Sequence, residues 1–142
     1  MKRILVGVDG SAESKQAAEL AARLAASFHA TVTFAYVVPT PVPLGPERYG
    51  LDLDDLDEGQ RAYGNAVLRE MAARCADAGA KIETRLDFGP PAERLAALVE
   101  SGGFDLVAVG HRGRGAVQRV LLGSVADRLA QISRKPVLIW RG

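Results

Sequence analysis

Two glycines and a Gly-Ser pair near the C-terminal end of the chain are spaced as a phosphate site would require. Gly110 and Gly113 follow an apolar run, and Gly123-Ser124 comes after nine further residues. Glycine lets backbone N–H groups approach an anion closely, and successive N–H groups can form an anion-binding nest. A helix beginning at Gly123-Ser124 would add the N–H groups and positive dipole end of its first turn. The pattern predicts two anion sites joined by a nine-residue arm, which suits a polyphosphate.

Arginines and a hydroxyl accompany these glycines. Arg112, Arg114 and Arg119 add positive charge, and Ser124 could either cap the following helix or donate its hydroxyl to a phosphate. The alternative is an ordinary strand-to-helix connection with a capped helix, in which Arg119 is a solvated charge. The spacing alone leaves both interpretations open.

Other nucleotide-binding motifs do not fit the sequence. "GHRGRG" lacks the GxGxxG spacing and follows the fourth predicted strand, and no GxxxxGK[ST] motif occurs. "SGGFD" (Ser101 to Asp105) resembles the phosphate loop of pyrophosphate-releasing ligases, but it precedes a strand where that loop follows one. We interpret it as a helix stop.

Five strand-like runs alternate with four helical patterns along the chain. The strands are predicted over residues 3–9, 31–38, 81–89, 105–110 and 136–140. The helices are predicted to begin near Ser11, after Leu51, at Pro90-Pro91 and at Ser124. This alternation predicts a three-layer α/β fold, with a parallel sheet covered by helices on both faces.

Apolar residues at helical spacing predict which sides of the first two helices are buried. The first stripe comprises Ala17, Leu20, Ala21, Leu24, Ala25 and Phe28, and the second comprises Tyr63, Val67, Leu68, Met71 and Cys75. Cys75 is therefore expected to be a small core residue and not a reactive thiol.

Length and charge limit the classes of protein to consider. The 142 residues are expected to form one domain, residues 1–142, and the net charge of +1 provides no global field for nucleic acid or an anionic membrane. No signal peptide is visible, and no apolar run approaches the ~20 residues of a membrane span. A cytoplasmic protein is the default expectation.

The spacing Gly110-x2-Gly113-x9-Gly123-Ser124 resembles the universal stress protein signature, G-x2-G-x9-G-[ST]. The opening "ILVGVDGSAESKQAAELAARLA", the segment "LLGSVADRL" and the closing "KPVLIW" are similar to that family too, so the resemblance covers essentially the whole chain. It implies an open five-stranded parallel sheet of order 3-2-1-4-5, Rossmann-like and of the adenine nucleotide α-hydrolase-like type. The first and fourth strands would then flank a ligand cleft at their carboxyl ends.

The same resemblance implies which residues contact an adenine nucleotide. Asp9 would lie near the adenine and ribose, although from the sequence alone a turn aspartate capping "GSAES" is the simpler interpretation. Val37 would supply an apolar contact to the adenine. The full predicted set is Gly7, Val8, Asp9, Val37, Val109, Gly110, Arg112, Gly113, Gly123, Ser124 and Val125. ATP is the predicted ligand because the loop is long enough for three phosphates, and any Mg²⁺ would arrive with it.

No residue is an assured catalytic base. His111-Arg112 stands where many members of the family have Ser-His, which shifts the imidazole by one residue, and His111 is expected to be exposed and non-catalytic. His29 is expected to end the first helix, and the acidic run from Leu51 to Gly59 is expected to begin a helix instead of binding a cation. Together with the resemblance, this implies a nucleotide-dependent regulatory protein of the stress response that binds ATP. Weak ATPase or adenylate-kinase-like activity, a chaperone-like interaction module, and flavin or dinucleotide binding are the alternatives.

Two further expectations concern surfaces. The apolar run "VLIW" would be an edge strand in the implied order, so we expect a homodimer through Val137–Trp140. The alternative is a short edge strand shielded by its neighbours. The Pro-rich segment 39–50 is expected to be a loop, either a lid or a surface excursion.

Overall fold

The computed structural model describes residues 1–39, 53–112 and 122–142, with the side chains of residues 53–57 excluded. The predicted loop beyond Pro39, and Gly113, Arg114 and Arg119, lie outside the described residues. The strands are β1 (Arg3–Gly7), β2 (Thr31–Val38), β3 (Lys81–Phe88), β4 (Leu106–Gly110) and β5 (Val137–Trp140). The helices are α1 (Ala12–Ser27), α2 (Leu53–Arg74), α3 (Pro91–Ser101) and α4 (Ser124–Ile132), with a short 3-10 turn at Ala76–Ala78.

The strands form one parallel sheet in the order β3-β2-β1-β4-β5, which confirms the predicted topology. β1 lies between β2 and β4, with Val6 opposite both Phe34 and Ala108. The crossovers from β1 and β4 therefore lead in opposite directions. The place where they diverge is the topological switch point, where ligands bind in open α/β sheets.

Helices cover both faces of the sheet because successive strand residues point to opposite sides. Ile4, Val6 and Phe34 belong to a core shared with α1 and α2, which supply residues such as Ala21 and Met71. Leu5, Val37 and Val107 belong to the opposite core, which is shared with α3 and α4 and includes Leu95 and Leu129. The central strands are apolar on both faces for this reason.

Some predicted boundaries and faces are wrong. β1 ends at Gly7 and not at Asp9. Phe28 is 51% exposed because it is the C-cap of α1 and lies beyond the buried stripe, and Tyr63 is 39% exposed. His29 does not end the helix but follows its cap with a positive φ of 54°.

Other predictions from the helical patterns are confirmed. Cys75 is buried, and Ser11 is the N-cap of α1, where its side chain accepts the N–H of Ser14. Pro91 is the first residue of α3, as its missing N–H favours. Within the described ranges, no helix combines the length and the apolar character needed to cross a bilayer.

Candidate functional site

A cavity of about 440 Å³ opens at the carboxyl ends of β1 and β4. The structure places eight of the eleven predicted residues on its wall: Gly7, Val8, Asp9, Val37, Val109, Gly110, Arg112 and Val125. Gly123 and Ser124 precede Val125 at the start of α4, while Gly113 lies outside the described residues. The sheet order thus brings residues of the first, second and fourth strands to one cleft.

Seven further residues, which the sequence analysis did not single out, also line the cleft: Ser14, Ala35, Tyr36, Pro39, Pro91, Leu95 and Ala126. Pro91 and Leu95 lie four residues apart on α3 and so share one face of that helix. A sequence signal was present, because every helix that follows a strand of a parallel sheet begins at the carboxyl end of the sheet, where ligands bind. Which crossover turns toward the cleft depends on the sheet order.

Asp9 lies in a turn and also lines the cleft. Its Oδ1 accepts the N–H of Ser11 at 2.9 Å, and its own N–H donates to Ser14 Oγ at 3.3 Å, which is the geometry of a turn aspartate. Gly10 permits this turn with a φ of +87°. Asp9 nevertheless lines the cleft, so its carboxylate stands where a hydroxyl of a ligand could donate to it.

Arg112 lies at the rim of the cleft and is held by Glu13 of α1. Arg112 Nη2 lies 3.0 Å from Glu13 Oε1, Nε donates to the same oxygen at 3.1 Å, and the backbone N–H of Arg112 donates to Oε2 at 2.6 Å. The predicted phosphate-binding arginine therefore already has a carboxylate partner, 99 residues away in sequence. No sequence pattern pointed to this pair.

The start of α4 presents donors toward the same end of the sheet. Gly123 is the N-cap, with no side-chain cap, and Ser124 is the exposed first helical residue. The alternative in which Ser124 caps the helix is wrong, because the N-cap is Gly123. The N–H groups of the first turn have no partner within an α-helix, so this turn is suited to an anion.

His111 is buried, not exposed as expected, at 8% exposure. Its backbone N–H donates to the Trp140 carbonyl at 2.7 Å, and its carbonyl accepts the Gly123 N–H at 2.7 Å. His111 thus joins the ends of β4 and β5 to the start of α4. Among the residues that the structure describes, none provides a hydrogen-bond partner for its Nε2.

The apolar side of the cleft depends on close packing between α3 and the sheet. A Cβ on Gly7 would lie 2.7 Å from Leu95 Cδ1, so the absence of a side chain lets α3 approach β1. The pair Arg94–Asp87, with an Nη2–Oδ2 distance of 2.8 Å, holds α3 to the end of β3. Burial opposes ionisation of Asp87, but hydrogen bonds from Arg94 and the Phe88 N–H outweigh it and hold the pKa of Asp87 below its usual value.

The described side chains contain no group of three His, Cys, Asp or Glu residues close enough to hold a metal ion. The cleft offers instead apolar walls at Val37 and Leu95, a carboxylate at Asp9, and helix N–H groups at α4. Such a combination can bind a ligand with a flat apolar part, hydroxyl groups and an anionic end.

Comparison with known proteins agrees with this architecture. The sequence profile of the universal stress protein family matches residues 1–141. Universal stress protein MJ0531 of Methanocaldococcus jannaschii is 32% identical over 138 residues, which are 97% of this chain and 81% of the relative. The structure of UspA from Lactobacillus plantarum superposes with a TM-score of 0.87 at 24% identity, over 99% of this chain and 97% of that one.

A second solved structure, a universal stress protein in complex with cAMP, is 31% identical, with a TM-score of 0.72 over 99% of this chain and 96% of its own. The family profile, the sequence relative and the two solved structures each match nearly the whole length of this chain. This chain therefore belongs to the universal stress protein family.

Proposed function

We propose that this chain is a cytoplasmic regulatory protein that binds ATP in the cleft between β1 and β4. The observation that carries the proposal is the convergence of eight predicted contact residues on one cavity of about 440 Å³. A drug-sized or nucleotide-sized ligand requires a cavity of this order. The related protein solved with cAMP supports an adenine nucleotide as the ligand class.

Each part of the nucleotide has a partner of suitable chemistry in this proposal. The adenine lies against Val37 and Leu95, and the ribose hydroxyls donate to Asp9. The phosphates extend toward the first turn of α4, whose N–H groups and dipole favour negative charge. Mg²⁺, if present, binds the phosphates of the nucleotide.

Binding, and not turnover, is the proposed activity. Hydrolysis needs a base or an oriented water near the γ-phosphate. Asp9 is the one carboxylate among the described residues that line the cleft, and its Oδ1 already accepts the Ser11 N–H. ATP hydrolysis by the purified protein that exceeds that of a binding-deficient variant would contradict this part of the proposal.

Replacing Ser124 by Glu tests where the phosphates bind. The new carboxylate would stand at the start of α4, where it repels phosphate, and we expect the ATP affinity to fall at least about tenfold. The same position favours a negative charge on the helix dipole, so the variant should be as stable as the wild type or slightly more so. Isothermal titration and thermal unfolding measure the two effects.

Ala130→Glu is the matched control, because Ala130 is exposed on the same helix but away from its N-terminus. It should leave the ATP affinity unchanged. Equal affinities in Ser124→Glu and wild type would place the phosphates elsewhere. A nucleotide-free wild type that binds no ATP would favour the interaction module, which would suppress aggregation of a client equally with and without ATP.

We also propose a homodimer through β5, which lies at the edge of the sheet. Val107 N–H donates to the Pro136 carbonyl and His111 N–H to the Trp140 carbonyl, so the alternate residues Val137 and Ile139 direct their backbone groups to the open edge. Ile139→Pro removes one outward N–H and should make the protein monomeric in sedimentation at micromolar concentration. Ile139→Ala, which keeps the N–H, should remain a dimer, and a monomeric wild type would contradict the proposal.

A further inference from the structure

We infer that Glu13 is an internal anion that competes with the phosphates of a bound nucleotide and so sets the preference of the cleft among nucleotides with different numbers of phosphates. The inference rests on the proposed function, since it concerns the same cleft. It assigns a specificity-determining role to a residue that lies outside the glycine signature.

Three N–H donors converge on the Glu13 carboxylate. The backbone N–H of Arg112 donates to Oε2 at 2.6 Å, and the guanidinium donates to Oε1 through Nε at 3.1 Å and Nη2 at 3.0 Å. A loop amide and an arginine fork are also the donors by which proteins bind phosphate. A carboxylate of the protein therefore occupies donors that the loop after β4 would otherwise offer to a phosphate.

The fold holds Glu13 in this position. Glu13 is the second residue of α1, where the helix dipole favours a negative charge. A Cβ on Gly110 would lie 2.9 Å from the carbonyl carbon of Glu13, so the glycine lets the end of β4 approach the first turn of α1. With its side chain only 18% exposed and paired with Arg112, which lines the cleft, Glu13 differs from a solvated surface carboxylate.

The charge of Glu13 opposes a polyphosphate. Among the described residues that line the cleft, Asp9 and Arg112 carry formal charges of opposite sign, and Glu13 adds a second negative charge beside Arg112. These three described side chains, two carboxylates and one guanidinium, together carry one net negative charge. Each phosphate added to an adenine nucleotide then meets more repulsion from Glu13, and it gains less from Arg112 than an unpaired arginine would give.

Glu13→Gln tests the inference because it removes the charge and keeps the size of the side chain. Adenosine, AMP and ATP are titrated calorimetrically into wild type and variant, in EDTA and again with Mg²⁺. We expect the ATP affinity to rise about tenfold, the AMP affinity to rise less, and the adenosine affinity to change by less than about twofold. Glu19→Gln is the matched control, since Glu19 lies on the same helix and pairs with Arg74; it should change none of the three.

Three results would overturn the inference while leaving ATP binding intact. One is an unchanged ratio of ATP to adenosine affinity. Another is weaker ATP binding in the variant, which would mean that Glu13 positions Arg112 for phosphate. The third is a loss of ATP affinity only with Mg²⁺, which would make Glu13 a metal ligand. Failure of both proteins to bind any of the three ligands would overturn the proposed function together with the inference.

Thermal unfolding confirms that the variants compared are folded. If Glu13→Gln does not fold, Glu13→Ala provides the same test, because it also removes the carboxylate. It must shift the ratio of ATP to adenosine affinity in the same direction, and a ratio equal to that of the wild type overturns the inference.

Discussion

Gly110→Ala is expected to destabilise the protein by about 2–3 kcal/mol, the upper part of the range for overpacking. The added Cβ would lie 2.9 Å from the Glu13 carbonyl carbon and 3.0 Å from the Ser14 nitrogen. Both are backbone atoms of the first turn of α1, so no side-chain rotation relieves the overlap. β4 and α1 must separate, which also breaks the contact between Glu13 and Arg112 and widens the cleft.

Urea unfolding measures this loss as a lower midpoint at an unchanged slope. Gly59→Ala is the control, because Gly59 lies in α2 and no atom of the described residues is within 4 Å of an added Cβ. A glycine inside a helix is about 1 kcal/mol less favourable than alanine, so this second variant should be more stable than the wild type. A Gly110→Ala variant as stable as the wild type would show that β4 and α1 do not approach each other this closely.

Phe34→Ala is expected to cost about 3–5 kcal/mol of unfolding free energy, the range for removing a buried aromatic ring. Phe34 is fully buried in β2, opposite Val6 of β1. Its face of the sheet packs against α1 and α2, which include Ala21 and Met71. A domain of this kind has a total stability of about 5–15 kcal/mol, so the variant should be close to unfolding at physiological temperature.

Phe28→Ala is the control for this experiment, since the same ring is removed from a position that is 51% exposed. A surface change of this kind usually alters stability by less than about 0.5 kcal/mol. The difference between the two midpoints measures the burial at position 34. Equal losses in the two variants would contradict the placement of Phe34 in the core and Phe28 at the helix cap.

The sequence by itself predicted the elements well because strand and helix patterns are local. The second strand, Thr31–Val38, is where its run of β-branched and aromatic residues indicated, and Ser11 and Pro91 begin their helices as expected. The apolar stripes did not show where each helix ends. Phe28 continues the helical spacing, but the helix stops at Ser27, so the side chain turns to solvent.

The candidate site was only partly accessible from the sequence. The glycine signature and the resemblance to the family indicated Asp9, Val37 and Gly110. The structure brings them to one cleft, although Asp9 follows β1, Val37 lies in β2 and Gly110 ends β4. Pro91 and Leu95 were missed, because their place in the cleft depends on the side of the sheet to which α3 crosses.

What the sequence by itself determined is the set of helices and strands and the glycine spacing, since each depends on neighbours within a few residues. The tertiary structure alone decided that Glu13 meets Arg112, 99 positions away, and that His111 is buried between β4, β5 and α4. Such contacts arise because the order of the parallel strands brings the ends of strands that are far apart in sequence to the same edge of the sheet. No periodic pattern along the chain predicts which of these distant residues will be in contact.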